Sequence, residues 1–352
     1  MAKEIKKNKE NSVEWYLSNR DLFKQLSIKV ESIVREIIHD NNISLHTVNS
    51  RAKEVNSFAK KVNNSKYDDP LNQVTDLAGI RIIAYVEKDL ETISKLIETN
   101  FEIDHENSID KTKTLGTDKV GYRSIHYIAK LTKERLSLPE YAKFENLSFE
   151  IQIRTILQHA WAEIEHDKDY KFSGELPTKI KRRFKILSGV LELADREFDA
   201  LADEIDKYQK EVTKNTKSGN LNIELNSTSL QTYMNKKFSE FYKSNKIKNN
   251  IKSREIIDEL RNFDIENIQQ LDNLITDNIL SKISFSINSE STTTIGILRI
   301  IMMMNDISKY FENSWKKKWL AINQRTYDLL KDSNIDIDKY MDENDIYIHE
   351  IS

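Results

Sequence analysis

No cysteine occurs among the 352 residues, which excludes disulfides and thiolate metal sites and suits a reducing compartment. No apolar run approaches the length of a membrane span, and the opening MAKEIKKNKENSVEWYL is charged with no signal-type apolar core behind it. No internal repeat is evident. Nor does one sign of charge dominate: 54 basic and 57 acidic side chains leave a formal net charge of -3, so any anion site must be a local arrangement. The chain therefore reads as soluble and cytoplasmic, with no membrane partner. At 38% hydrophobic it can bury a sizeable core, and its length favours two domains.

Apolar residues Trp15, Leu22, Leu26, Val30, Ile33, Val34 and Ile37 recur at helical spacing and predict an amphipathic helix over 13–39. A second short helix is expected after SLHTVNS. The texture then turns β-rich in GIRIIAYV, GYRSIHYIAKL and LSFEIQIRT, separated by helical or loop segments, as in a sheet with helices packed against it. From Thr155 onward the pattern is helical. Within it Leu187, Leu191, Ala194, Phe198, Leu201, Ile205, Tyr208 and Val212 step by four and three, a heptad seam. Such a seam either packs antiparallel on its own domain or pairs subunits in a homo-oligomer. KNTKSGNLN at 214–222 loses the apolar pattern and predicts a linker. The fold class expected is α/β (α+β): an N-terminal helical segment at 1–44, a mixed-sheet core with helical extension at 45–213, and a mostly helical domain at 223–352.

The strands also carry chemistry. In FEIQIRT the apolar Phe149, Ile151 and Ile153 alternate with Glu150, Gln152 and Arg154, so one face is buried and the other presents a carboxylate, an amide and a guanidinium. Alone this is what any half-exposed strand shows. In GYRSIHYIAKL, however, Tyr122, Ser124 and His126 sit at every second position, a ring that can stack on a base beside two hydrogen-bonding groups. In SRAKEVNSFAKK, Arg51, Lys53, Lys60 and Lys61 fall within three helical turns, either a solvated basic face or a grip for a polyphosphate. Asp76, just before an apolar strand that carries Arg81, either caps a turn or holds a magnesium ion, which takes one or two carboxylates plus phosphate oxygens. On the next helix His159, Glu163 and His166 can share a face, in an order unlike the H-E-x-x-H zinc pattern.

These stretches in this order, SRAKEVNSFAKK, DLAGIRII, GYRSIH and EIQIRTILQHAWAEIEHDKDYK, resemble the synthetase domain of the RelA/SpoT family. The likeness is to the small alarmone synthetases and their toxic relatives, over roughly residues 45 to 172. The resemblance implies Mg²⁺-dependent transfer of the β,γ-pyrophosphate of ATP to the 3'-hydroxyl of GTP or GDP, giving (p)ppGpp and AMP. Position by position it implies ATP-binding roles for Arg51, Lys53, Lys61 and Arg81, and metal-binding and catalytic roles for Asp76 and Glu150. Tyr122, Ser124, His126, Gln152 and Arg154 would bind the acceptor, with Tyr122 stacking on its base.

The acceptor loop departs from the alarmone-making pattern. NSIDKTKTLGTDKVGY lacks its proline and has Asp118 where a lysine is usual, with Lys111, Lys113 and Lys119 as the nearby cations. Toxic relatives place pyrophosphate on the 3' end of tRNA instead, and NKKFSEFYKSNKIKNNIKSR and WKKKW in the tail mix cations with aromatics as a nucleic-acid surface does. Solvated helix faces would show the same mixture. By analogy with fused toxins the tail would be an inhibitory or sensing domain that meets a protein regulator. A third reading is a nucleotide-binding regulator without catalysis, against which the presence of Asp76 and Glu150 argues.

Overall fold

The structure, a computed structural model, describes residues 2–63, 67, 69–110, 124–171, 177–244, 247–248, 254–286 and 292–349. The chain forms two compact units, Met1–Asp203 and Glu204–Ser352. In the first, strands β1 (Leu45–Ala52), β2 (Ala78–Ala84), β3 (Glu102–Asp110), β4 (Ile125–Lys130) and β5 (Phe149–Thr155) form one mixed sheet in the order β1-β2-β5-β4-β3. The β2–β5 pair is parallel and its neighbours are antiparallel. Side chains alternate across each strand, so Ile80, Ile82, Ile151 and Ile153 are fully buried on one face. Each such isoleucine contributes about 1.5–3 kcal/mol of apolar burial. Helices α1 (Ala2–Asp40) and α3 (Glu87–Asn100) cover that face through Leu26, Val30, Ile93 and Ile97.

The expected mixed sheet with flanking helices is present, but its beginning differs from expectation. A short helix does follow SLHTVNS, but SLHTVNS itself lies largely within β1, where Val48 and Ala52 point into the core. Helix α2 (Val55–Val62) follows, so Arg51 stands on a strand, Lys53 in the connection and only Lys60 and Lys61 on the helix. In α1 the inward aromatic is Tyr16, wholly buried, whereas Trp15 is 39% exposed. One residue is about 100° of helix rotation, enough to exchange inside for outside.

Helix α4 (Ile156–Lys171) continues directly from β5, and α5 (Thr178–Ser218) runs 41 residues. The face of α5 that meets the rest of the first unit mixes apolar and polar contacts, with the Phe184 ring 5.8 Å from that of buried Trp161. Ser188 and Asp195 are buried, Thr155 Oγ1 donates to Asp195 at 2.8 Å, and Asp199 accepts from the Lys88 backbone N–H at 3.0 Å. The heptad seam is only partly covered: Leu187, Phe198, Leu201 and Ile205 are each 47–57% exposed, Leu191 and Ala194 are half-buried, and Val212 is buried. The expected linker is also shorter than 214–222, because residues 214–218 are the end of α5. Val212 and Thr216, one turn apart, are buried there, and Gly219 (φ 84°) ends the helix in the left-handed region that glycine adopts at low cost.

The second unit is mostly helical, with two short two-stranded parallel sheets among its described residues. Asn226 caps α6 (Ser227–Lys237) in a reciprocal pair with Ser229, and Leu230, Met234 and Phe238 pack with Ile256 and Leu260 of α7 (Arg254–Asn262). The WKKKW stretch is not an aromatic surface. Trp315 is buried, and Trp319 donates from Nε1 to the hydroxyl of buried Tyr310 at 2.9 Å. At the centre Glu259, with no exposed surface, accepts two bonds from Arg299, at 2.9 and 2.6 Å, and lies 3.8 Å from Lys318 Nζ. Cutting a buried pair strands its partner charge. Glu259→Gln is therefore expected to destabilise this unit by about 3 kcal/mol, read as a lower midpoint in guanidinium unfolding.

Candidate active site

The polar face of the sheet is built in rows set by strand register. Arg51 of β1 faces Gly79 of β2, which faces Glu150 of β5; in the next row Asn49, Arg81, Gln152 and His126 follow one another across four strands. Gly79 leaves the floor between Arg51 and Glu150 without a side chain. This face carries chemistry because the opposite parity of each strand is committed to the isoleucine core.

Asp76, just ahead of β2, is largely buried, and its Oδ2 accepts from Lys53 Nζ at 2.6 Å and from Lys61 Nζ at 2.7 Å. Burial alone would push this carboxyl up; the two ammonium groups outweigh it and hold the carboxyl below its ordinary range. Lys53 is driven down, chiefly by burial and then by neighbouring Lys61 and Arg51 against the pull of Asp76. Lys61 is raised: burial works against its charge, and Asp76 overrides it. The backbone of Lys53 is fixed from two sides. Its N–H donates to Leu77 O at 2.9 Å, and its carbonyl accepts from Tyr16 Oη at 2.6 Å and Arg20 Nε at 3.1 Å.

Glu150 forms the second centre. Its Oε1 lies 2.8 Å from His126 Nδ1 and its Oε2 accepts from Gln152 Nε2 at 2.8 Å. His126 Nε2 lies 3.2 Å from Arg154 Nη2 and 2.9 Å from Ser124 Oγ. A guanidinium only donates, so Nε2 accepts, and the ring proton sits on Nδ1, directed at Glu150. Burial opposes ionisation of Glu150, as does the charge of Asp76, but the bonds from His126 and Gln152 prevail and its pKa is lowered. Both carboxylates are thus held ionised in one electrostatically linked site.

Sequence-derived candidates divide accordingly. Lys53, Lys61 and Asp76 converge on one carboxylate. Ser124, His126, Gln152, Arg154 and Glu150 form one network, although Ser124 stands just before β4 rather than within it. Arg51 is exposed on the floor, and Arg81 Nη1 is engaged at 2.9 Å by Glu163 of α4. Glu163 is therefore committed to Arg81 and stands 3.9 Å from His159 Nδ1; the side chain of His166 lies outside the described residues. So does Tyr122, with the acceptor loop's Lys111, Lys113, Asp118 and Lys119. Tyr16 and Arg20, which hold Lys53, were not found by sequence; the only available signal was their place on the inner side of α1.

Several polar atoms here have no protein partner. Of the seven buried side-chain atoms without one among the described residues, four are Asp76 Oδ1, Gln152 Oε1, Arg154 Nε and His159 Nδ1. An unsatisfied buried group costs about 1–3 kcal/mol, so their concentration marks a place organised for a ligand. Two ionised carboxylates, Asp76 and Glu150, thus stand on a sheet face that also carries Lys53, Lys61, Arg51 and Arg154.

Residues 50–175 match the model of the family described as the region found in RelA / SpoT proteins. Over 152 residues the chain is 27% identical to the protein named GTP pyrophosphokinase YjbM of Bacillus subtilis (strain 168), covering 42% of this chain and 68% of that relative. Over 133 residues it is 27% identical to GTP pyrophosphokinase YwaC of the same organism, covering 38% of this chain and 60% of that one. Among solved structures, a GTP pyrophosphokinase family protein from Streptococcus pneumoniae is similar over 55% of this chain and 96% of its own, with 24% identity and a TM-score of 0.46. Small alarmone synthetase 1 from Bacillus subtilis bound to its product pppGpp is similar over 55% and 97%, with 25% identity and a TM-score of 0.44.

The Asp76 clasp has a pH signature. Because its folded-state pKa lies below the ordinary value of 3.8, its ionisation contributes stability that is fully present above that value and lost as pH falls through the lower, folded one. Urea unfolding of the wild type between pH 5 and pH 3 should show a steep loss of stability, and Asp76→Asn should flatten it. An unchanged slope would separate Asp76 from the acid response.

Proposed function

We propose that the chain is a pyrophosphokinase that transfers the β,γ-pyrophosphate of ATP to the 3'-hydroxyl of GDP or GTP. The observation that carries this reading is the pair of buried, ionised carboxylates, Asp76 and Glu150, on one cation-rich sheet face within the RelA/SpoT region. The two relatives named as GTP pyrophosphokinases support the acceptor class.

A magnesium ion fits the residues present. Asp76 Oδ1 is buried with no hydrogen-bond partner, Asp76 and Glu150 influence each other's ionisation, and Mg²⁺ is ordinarily held by one or two carboxylates plus substrate phosphates. When bound, it would offset phosphate charge. Lys53 and Lys61 each spend one donor on Asp76 and, with three donors per ammonium group, retain others for phosphate oxygens. Arg51, across the Gly79 floor, presents a guanidinium for bidentate phosphate bonds.

In the transfer, the acceptor 3'-oxygen forms a bond to the β-phosphorus while the bond from that phosphorus to the α,β-bridging oxygen breaks, and AMP leaves with the bond's electrons. The hydroxyl proton goes to Glu150, oriented by His126 Nδ1 and Gln152. A carboxylate of lowered pKa is a weak base, so Glu150 acts mainly by positioning the hydroxyl and accepting its proton late. Positioning and charge stabilisation carry most of the barrier reduction, as in phosphoryl transfer generally. The tRNA 3' end remains the alternative acceptor. Its case from the tail is weakened because Trp315, Trp319 and Phe238 are packed in the second unit rather than displayed.

The test is transfer from ATP labelled on the γ-phosphate, with Mg²⁺, to GDP, GTP or deacylated tRNA. Label is expected on the guanine nucleotide. Glu150→Gln and Asp76→Asn should each lower turnover by about 10² or more, with circular dichroism unchanged at neutral pH. Label on tRNA alone would overturn the acceptor assignment, and no label on any acceptor would favour a nucleotide-binding regulator.

A further inference from the structure

At the end of the sheet where β2 and β5 begin and β4 stops, the first unit holds a cavity of about 670 Å³. That lies within the range of about 300–1,000 Å³ in which proteins hold small molecules. None of the residues assigned to the candidate active site lines it. Its apolar part is made by Phe23, Leu77 and Ala129, all buried, and by Trp15, whose ring meets that of Phe23 edge-on at 6.1 Å. The phase of α1 that sends Tyr16 inward thus leaves an indole at the wall of a hollow, and a half-exposed indole offers a large apolar contact.

Three charged side chains line the cavity: Glu102 and Asp104 of β3 and Lys130 of β4. Asp104 is already spent. Its Oδ1 accepts from the Asn107 backbone N–H at 3.1 Å and its Oδ2 from Asn107 Nδ2 at 2.7 Å. Glu102 and Lys130 face each other directly in the β3–β4 register, a placement that sets Cβ atoms about 4.5–5.5 Å apart and lets opposite charges pair. Among the described residues they pair neither with each other nor with any other side chain. A carboxylate and an ammonium group therefore stand side by side, uncommitted, at an apolar hollow. One cation beside two acids does not suit a polyphosphate, and a wholly apolar molecule would answer neither charge.

We propose that this cavity binds a free α-amino acid with a large apolar side chain. The ligand's carboxylate pairs with Lys130, its ammonium group with Glu102, and its side chain lies against Trp15 and the apolar floor. An amino acid carries its two opposite charges on one carbon, which matches two neighbouring side chains on adjacent strands. Charge-assisted hydrogen bonds fix its orientation, and apolar burial supplies the remaining affinity. Thr75 and Leu77, which line the cavity, flank Asp76, and Ser148, also in the lining, lies two residues ahead of Glu150. The occupant thus touches the chain that leads into both carboxylates. The proposal rests on the cavity alone and is independent of the catalytic reading.

The test is isothermal titration calorimetry of the full chain with L-phenylalanine, which should bind saturably. 3-Phenylpropionate lacks the ammonium group, 2-phenylethylamine the carboxylate and glycine the side chain; each should bind at least about tenfold more weakly. Lys130→Met and Glu102→Gln, both at exposed positions, should each weaken L-phenylalanine at least about tenfold with circular dichroism unchanged. Asp76→Asn should leave its affinity as it is. No saturable binding of either L-phenylalanine or L-leucine would overturn the proposal. So would 3-phenylpropionate binding as tightly as L-phenylalanine, or affinity indifferent to Lys130→Met. Loss of binding in Asp76→Asn would place the amino acid in the active site instead, and would equally overturn it.

Discussion

Everything in the site depends on how Asp76 is kept charged while largely out of water. A carboxylate in that position would protonate unless opposite charge were supplied at hydrogen-bonding distance, and Lys53 and Lys61 supply it from two different elements. Lys53 is immobilised by Tyr16 and Arg20 of α1 and by the carbonyl of Leu77. Lys61 is carried by the last turn of α2. The N-terminal helix, the β1–α2 connection, α2 and the lead-in to β2 thus meet at one carboxylate. A site assembled this way has fixed its charges before any ligand arrives, which is the condition for electrostatic stabilisation without reorganisation.

Glu150 is held by a different device, strand register. It reaches His126 because β4 and β5 pair antiparallel with His126 opposite Gln152, one position along from the row that contains Glu150. A slip of one residue in β5 would drive Glu150 and Gln152 into the isoleucine layer and bring Ile151 to the surface. The apolar face therefore fixes the polar one, and no separate interaction is needed to choose which side of β5 carries the chemistry.

That difference explains what was legible in the sequence. Alternation in FEIQIRT exposes the Glu150 face directly, because a strand's period of two is a local property. The Asp76 clasp is not local: its lysines lie 15 and 23 residues upstream, and their convergence depends on a bend between β1 and α2 that a basic run within a supposed helix conceals. Trp15 and Tyr16 differ by a single step of helical phase, which periodicity alone does not resolve. On α5 the heptad spacing was readable, but the docking face was not. It buries Asp195 through a hydroxyl 40 residues away, and apolar pattern reports nothing about a buried polar pair.

The second unit shows the same limit from the opposite direction. A stretch such as WKKKW has the composition of a nucleic-acid surface, yet composition does not say which way rings point. Here Trp319 closes over Tyr310, and Lys318 turns toward Glu259, the acid that Arg299 also engages. The cations and rings answer a buried carboxylate and an apolar core, and the cost of removing one partner of such a pair exceeds what the pair adds over a well-packed apolar replacement. In both units an acid out of water, rather than an apolar residue, decides where the neighbouring lysines and arginines go. The identity of those acids, Asp76 and Glu259, becomes evident only once burial is known.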